Sequence, residues 1–90
     1  MGTKERFWPD VAIPPGRFLA ENLKAMGVSQ ADLARRMGRP VQAISEIVRG
    51  KKEITPDTAL QLEYVLGMPA HMWVDLEADY RLVQARQTHE

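Results

Sequence analysis

Cysteine is absent from this sequence, which removes disulfide frameworks, thiolate zinc sites and thiol catalysis together and makes a reducing cytoplasm the expected setting. The opening residues MGTKERFWPD are charged and hold no apolar run, so neither a signal peptide nor a membrane span is expected there. No alternating strand pattern, internal repeat or low-complexity stretch is found, which leaves an all-α reading. Ninety residues suffice for one compact domain but leave little room for an enclosed substrate cavity besides its core, which argues against an enzyme. Catalytic and metal patterns also fail individually. His71 with Asp75, Glu77 and Asp79 gives no HExxH pair and no second histidine on the same face, so no metal and no cofactor is expected. Ser29 and Ser45, the serines a Ser-His-Asp arrangement would need, already have capping and groove-facing roles in helices.

Net charge is missing as well, since twelve basic residues balance twelve acidic ones. The average conceals an uneven distribution. Residues 35–52 hold Arg35, Arg36, Arg39, Arg49, Lys51 and Lys52 against the single acid Glu46, a local charge of +5, whereas residues 53–90 sum to −5. Attraction for a polyanion is therefore confined to one part of the chain.

What the sequence does contain is a succession of helix start and stop signals. Residues 1–13 show no periodicity and read as an amino-terminal arm, with Phe7 and Trp8 expected to dock. Pro14-Pro15-Gly16 opens a first helix in which Phe18, Leu19, Leu23 and Met26 recur at helical spacing until Gly27. Ser29-Gln30-Ala31-Asp32 matches a helix cap and starts a second helix over about 30–37, carrying Leu33, Ala34 and Met37 inward and closed by Gly38. Arg39-Pro40 turns into a third helix over about 41–49. Thr55-Pro56-Asp57 starts a fourth, with Ala59, Leu62, Val65 and Leu66 facing inward until Gly67. After Met68-Pro69, a fifth places Met72, Trp73, Leu76, Tyr80 and Val83 on one face and fades into a polar tail over 87–90 that includes His89.

The third helix faces two ways. Val41, Ile44, Ile47 and Val48 form an apolar stripe, while Gln42, Ser45, Glu46 and Arg49 recur at i, i+3, i+4 and i+7 on the opposite side. Glutamine can pair bidentately with adenine, serine can donate or accept, and glutamate can accept from the cytosine amine. Arg49 with Lys51 and Lys52 would sit at the groove edge against phosphates. Two short capped helices joined through Gly38-Arg39-Pro40, the second flanked by cations, are what a helix-turn-helix needs to enter a groove about 12 Å wide. DNA binding is the function these residues point to.

The stretch SQADLARRMGRPVQAISEIVRGKKEITPDTALQLEYVLG resembles the helix-turn-helix domain of phage repressors and, more closely, the HigA-type antitoxins of the XRE family. The shared pattern comprises a PPG start to the first helix, an SQ-LA-R-G second helix, an ISEIV-GK recognition helix, an ITPDTAL start to the fourth helix and a tryptophan soon after, as in HMWVDLEADY. The resemblance covers about residues 14–86 and implies a five-helix, lambda-repressor-like domain. It further implies a homodimeric repressor on a palindromic operator, often that of its own promoter, and a cognate RNase toxin as protein partner. By the same carry-over Gln30 clamps a phosphate, Gln42 with Val41 and Ala43 lies closest to base edges, Ser45 and Glu46 follow one turn on, and Arg39, Arg49, Lys51 and Lys52 meet the DNA backbone. Two of these positions have a second reading: Gln30 as a solvated first-turn residue, and Glu46 as a helix-surface partner of Arg49 or Arg39. The Pro-Val-Gln start of the third helix presents fewer polar groups than phage repressors do, and suits Val41 to a thymine methyl. The FWPD arm and the EADYRLVQAR ending also resemble the amino-terminal part of longer regulators fused to a zinc-peptidase-like domain, which is the alternative expectation.

On the fifth helix, Trp73 and Leu76 read as core. In the fold that the resemblance implies, the first four helices already close the core, which leaves Tyr80 and Val83 without an evident intramolecular partner, so they are expected to form a two-fold dimer contact that spaces two recognition helices by roughly one DNA turn of 34 Å.

Overall fold

The computed structural model describes residues 14–89. Five helices follow one another, α1 (Pro15–Met26), α2 (Gln30–Met37), α3 (Val41–Val48), α4 (Pro56–Leu66) and α5 (Ala70–His89), and the described residues contain no strand. The arm of residues 1–13, with Phe7 and Trp8, lies outside the described residues.

The ends of the helices follow from local chemistry. Ser29 Oγ accepts the Asp32 backbone N–H at 3.0 Å, and Thr55 Oγ1 accepts that of Thr58 at 3.3 Å, so each hydroxyl satisfies an amide that has no partner inside its helix. Pro40 stands just before α3 in extended conformation, and its carbonyl accepts the Ala43 N–H at 3.0 Å. Gly38 closes α2 at φ +66°, a left-handed conformation that a side chain would strain, and the Arg39 N–H then reaches back to the Ala34 carbonyl at 2.9 Å. This sets the sharp change of direction between α2 and α3. At the carboxyl end α5 runs through Gln87 and Thr88 to His89, so the loss of apolar periodicity there does not end the helix. No glycine or proline intervenes, and the Thr88 hydroxyl donates to the Gln84 carbonyl at 3.0 Å.

One core joins all five helices. Leu19 and Leu23 of α1, Leu33, Ala34 and Met37 of α2, Ile44 and Ile47 of α3, Ala59 and Leu62 of α4 and Trp73 of α5 are buried, together with Ile54 from the connection between α3 and α4. Trp73 has no exposed surface and tilts against Phe18 with ring centroids 5.6 Å apart, which fastens α5 to α1. Val41 departs from the expected apolar stripe: it is 50% exposed. At about 100° per residue it lies roughly 120° around the helix from Ile47, so it belongs to the margin between the faces rather than to the core.

Gly16 has a role that its place in a helix-opening PPG does not reveal. The amino-terminal turn of α1 crosses the end of α3 so closely that a Cβ on Gly16 would overlap the Ile47 carbonyl oxygen and stand 2.8 Å from the Val48 Cα. Both neighbours are backbone and cannot turn away, so a side chain here separates α1 from α3. Gly16→Ala should therefore lower stability by about 3 kcal/mol or more and the melting temperature by on the order of 10 °C or more. Gly27→Ala, where the added Cβ meets nothing within 4 Å, should cost only the left-handed backbone strain of roughly 1–2 kcal/mol. Thermal unfolding of the two variants checks this, and equal losses would refute the close-approach explanation.

Candidate nucleic-acid interface

The outward side of α3 is built by what its inward side buries. With Ile44 and Ile47 in the core, Val41 and Gln42 stand exposed at the start of the helix, and Ala43, Ser45 and Glu46 are half-buried. Arg49 is exposed and occupies the cap position after Val48, where its Nε donates to the Ser45 carbonyl at 3.4 Å. Lys51 and Lys52 follow, both exposed, with their backbone N–H groups donating to the Glu46 carbonyl at 2.8 and 3.2 Å. The recognition face is thus continuous with a cationic loop.

The other predicted contacts occupy distinct settings. Gln30 is half-buried at the first position of α2, beside the Ser29 cap. Arg39, also half-buried, donates from Nε to Gln61 Oε1 at 2.6 Å, while Gln61 Nε2 donates to the Met37 carbonyl at 3.2 Å. One α4 side chain therefore satisfies an orphan carbonyl at the end of α2 and fixes the guanidinium that leaves the turn, whose terminal nitrogens stay available for an anion. Glu46 is in no ion pair with Arg39 or Arg49; the Nε of Arg39 turns to Gln61 and that of Arg49 to the Ser45 carbonyl.

The cations are not equivalent. Arg35 is held by Asp32 at 2.6 Å, and its guanidinium, through that hydrogen bond and its charge, keeps the Asp32 carboxyl below its ordinary pKa. Its charge is largely spent within α2. Arg36, Arg49, Lys51 and Lys52 are exposed and in no ion pair among the described residues. With Arg39, whose partner Gln61 is neutral, these cations keep their charge unmatched by an acid among the described residues.

Tyr80 has a setting in its own chain that the sequence did not disclose. It is half-buried, its hydroxyl accepts from Gln84 Nε2 at 3.1 Å and lies near Gly50, and the Arg81 guanidinium stands 5.0 Å over its ring. Val83 is half-buried and Leu82 beside it is 47% exposed. A second surface gathers on α4, where Tyr64 is 92% exposed and borders an open groove of about 230 Å³ with Leu60, Met37 and Arg36. No group of His, Asp and Glu that could hold a metal ion occurs among the described residues, and none of their helices is long and apolar enough to cross a membrane.

A model of the helix-turn-helix family matches residues 19–72, the span that runs from α1 into the first turn of α5 and includes the whole of α2 and α3. The chain belongs to the helix-turn-helix family. Virulence-associated protein I of Dichelobacter nodosus is 42% identical to this helix-turn-helix chain over 77 residues, 84% of this chain and 71% of the relative. An addiction module antidote protein of the HigA family from Coxiella burnetii superposes with a TM-score of 0.82 at 32% identity, over 86% of this chain and 85% of that one. Pseudomonas aeruginosa antitoxin HigA, whose structure was solved with the higBA promoter, gives 0.82 at 30% identity, over 87% and 86% of the two chains.

The bonds made by Gln61 and Glu77 in this helix-turn-helix domain have no signal in the sequence. Each residue acts on a partner 22 to 24 positions away, and nothing in local spacing announces such a bond. Replacing Gln61 by alanine should lower stability by about 1–3 kcal/mol, since it removes one bond to a charged group and leaves the Met37 carbonyl without its donor. Urea unfolding measures this, and an unchanged midpoint would show that the bridge contributes nothing.

Proposed function

We propose that the chain is a homodimeric, HigA-type transcriptional repressor that inserts α3 into the major groove of a palindromic operator in its own promoter. The observation that carries this reading is the exposed start of α3, Val41 and Gln42, continuous with the exposed cations Arg49, Lys51 and Lys52 on a helix-turn-helix frame. Gln42 reads a base edge, Val41 and Ala43 make apolar contacts beside it, and Ser45 and Glu46 reach bases one turn on. Gln30, Arg39, Arg49, Lys51 and Lys52 hold the phosphate backbone and set the register. Residues 14–86 form the DNA-binding unit, preceded by the arm of residues 1–13 and followed by the short tail. Val83, with Tyr80, contributes from α5 to the two-fold contact that sets half-site spacing.

Solved neighbours described as antidote protein and antitoxin favour this reading over a peptidase-linked regulator, and with it a cytoplasmic module whose partner is an RNase toxin. The chain then acts by binding alone, with no reaction, metal or cofactor of its own.

Footprinting on the promoter of its own gene tests the proposal; a protected inverted repeat is the expected result, and absence of protection at low salt would overturn it. On that operator, Gln42→Ala should cost about 1–3 kcal/mol and relax preference at one position. Arg49→Ala or Lys51→Ala should instead weaken binding to all sequences and lower the slope of log affinity against log salt by about one unit each. If Gln42→Ala weakened all sequences equally, Gln42 would be a backbone contact and not a reader.

A further inference from the structure

The loop that follows α3 is tied down at both ends. At its start Lys51 and Lys52 hang by their N–H groups from the Glu46 carbonyl. At its far end the Ile54 N–H donates to Glu77 Oε1 of α5 at 2.9 Å, and the Ile54 side chain is buried in the core. Between these anchors Lys51, Lys52 and Glu53 are exposed.

Glu77 is only 8% exposed, and both of its oxygens are used. Oε2 accepts from Arg81 Nε at 2.6 Å, and Arg81 also lies 4.0 Å from Glu53 of the loop. Arg81 Nη1 donates to Gln84 Oε1 at 3.3 Å, and Gln84 in turn donates to the Tyr80 hydroxyl, which approaches Gly50 at the head of the loop. The polar side of α5 thus meets the loop at Gly50, Glu53 and Ile54.

A buried carboxylate–guanidinium pair adds little net stability over a well-packed apolar pair, although removing the carboxylate alone leaves the Ile54 N–H without its acceptor. What an apolar residue cannot do is fix the direction of the Ile54 N–H, and with it the path of the backbone from which two lysines project. We propose that Glu77 is a positioning residue for DNA binding: it holds the loop against α5 so that Lys51 and Lys52 meet phosphates together, without itself touching DNA. The proposal rests on the DNA-binding reading of those lysines.

The test is a salt titration of binding to a fluorescein-labelled duplex of arbitrary sequence, because backbone contacts do not depend on the bases. Wild type, Glu77→Leu and Glu77→Gln are each compared with and without the paired change Lys51→Ala with Lys52→Ala. In the wild-type background the lysine pair should lower the salt slope by about two. Glu77→Leu alone should lower it by about one and weaken binding roughly tenfold, and in its background the lysine pair should have a much smaller effect, because the two changes remove the same contacts. Glu77→Gln, which keeps an oxygen for Ile54, should restore most of the affinity. If Glu77→Leu loses its helical circular dichroism, Glu77→Asp takes its place, since it draws the carboxylate one methylene away from Ile54, and the same non-additivity is expected. Additive effects, or a wild-type slope in Glu77→Leu, would overturn the role of Glu77. A wild-type chain that fails to bind the duplex at low salt would overturn the DNA-binding reading and this proposal with it.

Discussion

The outward face of α3 depends on the burial of Ile44 and Ile47. α3 has eight residues, fewer than the roughly 12–15 that an isolated helix needs to be even marginally stable in water. It has no side-chain cap at its start, so its hold on helical form comes from packing. Each buried isoleucine contributes about 1.5–3 kcal/mol, and the two together fix the rotation of the helix about its axis. That rotation decides which residues look outward. The close crossing of α1 at Gly16 then presses on the carboxyl end of α3, so the helix is held along its inner side while its outer side carries no structural duty.

Polar groups complete what apolar packing leaves loose. Packing orients a helix but does little for the turns beside it, whose backbone groups need named partners. Before α3, Gln61 bridges the Met37 carbonyl and the Arg39 guanidinium. After α3, Glu77 takes the Ile54 N–H and pairs with Arg81. Both anchoring side chains come from the helices that follow, so α4 and α5 serve as a frame on which the two segments flanking α3 are stretched. The frame acts on segments that carry Arg39 on one side and Lys51 and Lys52 on the other.

The elements legible in the sequence are those written in short-range chemistry. Ser29 and Thr55 cap the helices they begin, Gly27, Gly38 and Gly67 close theirs in the left-handed conformation, and the inward leucines and isoleucines recur at helical spacing. These signals operate within a few residues. Periodicity also orders α5, yet nothing in it marks Glu77 as buried, because burial of a charge depends on a partner that only the fold supplies. The neighbours of Tyr80 are hidden in the sequence for the same reason: Gly50 is brought to it only by the packing of α3 and α5 on α1. Val41 differs in kind. Its residue type and spacing match the apolar stripe, but it stands at that stripe's edge in the first position of α3, where the core does not cover it.

A formal charge of zero is compatible with a polyanion-binding surface because a ligand responds to the field at the contact and not to the sum. At physiological ionic strength the Debye length is about 8 Å, so exposed charges well beyond that distance are largely screened. Pairing shapes the field as strongly as position does. Arg35 is matched by Asp32 within α2, and Arg81 by Glu77 within α5, so both cations are withdrawn from the surface field by acids four residues away or fewer. Arg36, Arg49, Lys51 and Lys52 have no such partner among the described residues. The segment that read as +5 from its composition therefore presents a smaller charge, of which Arg49, Lys51 and Lys52 gather just past the end of α3.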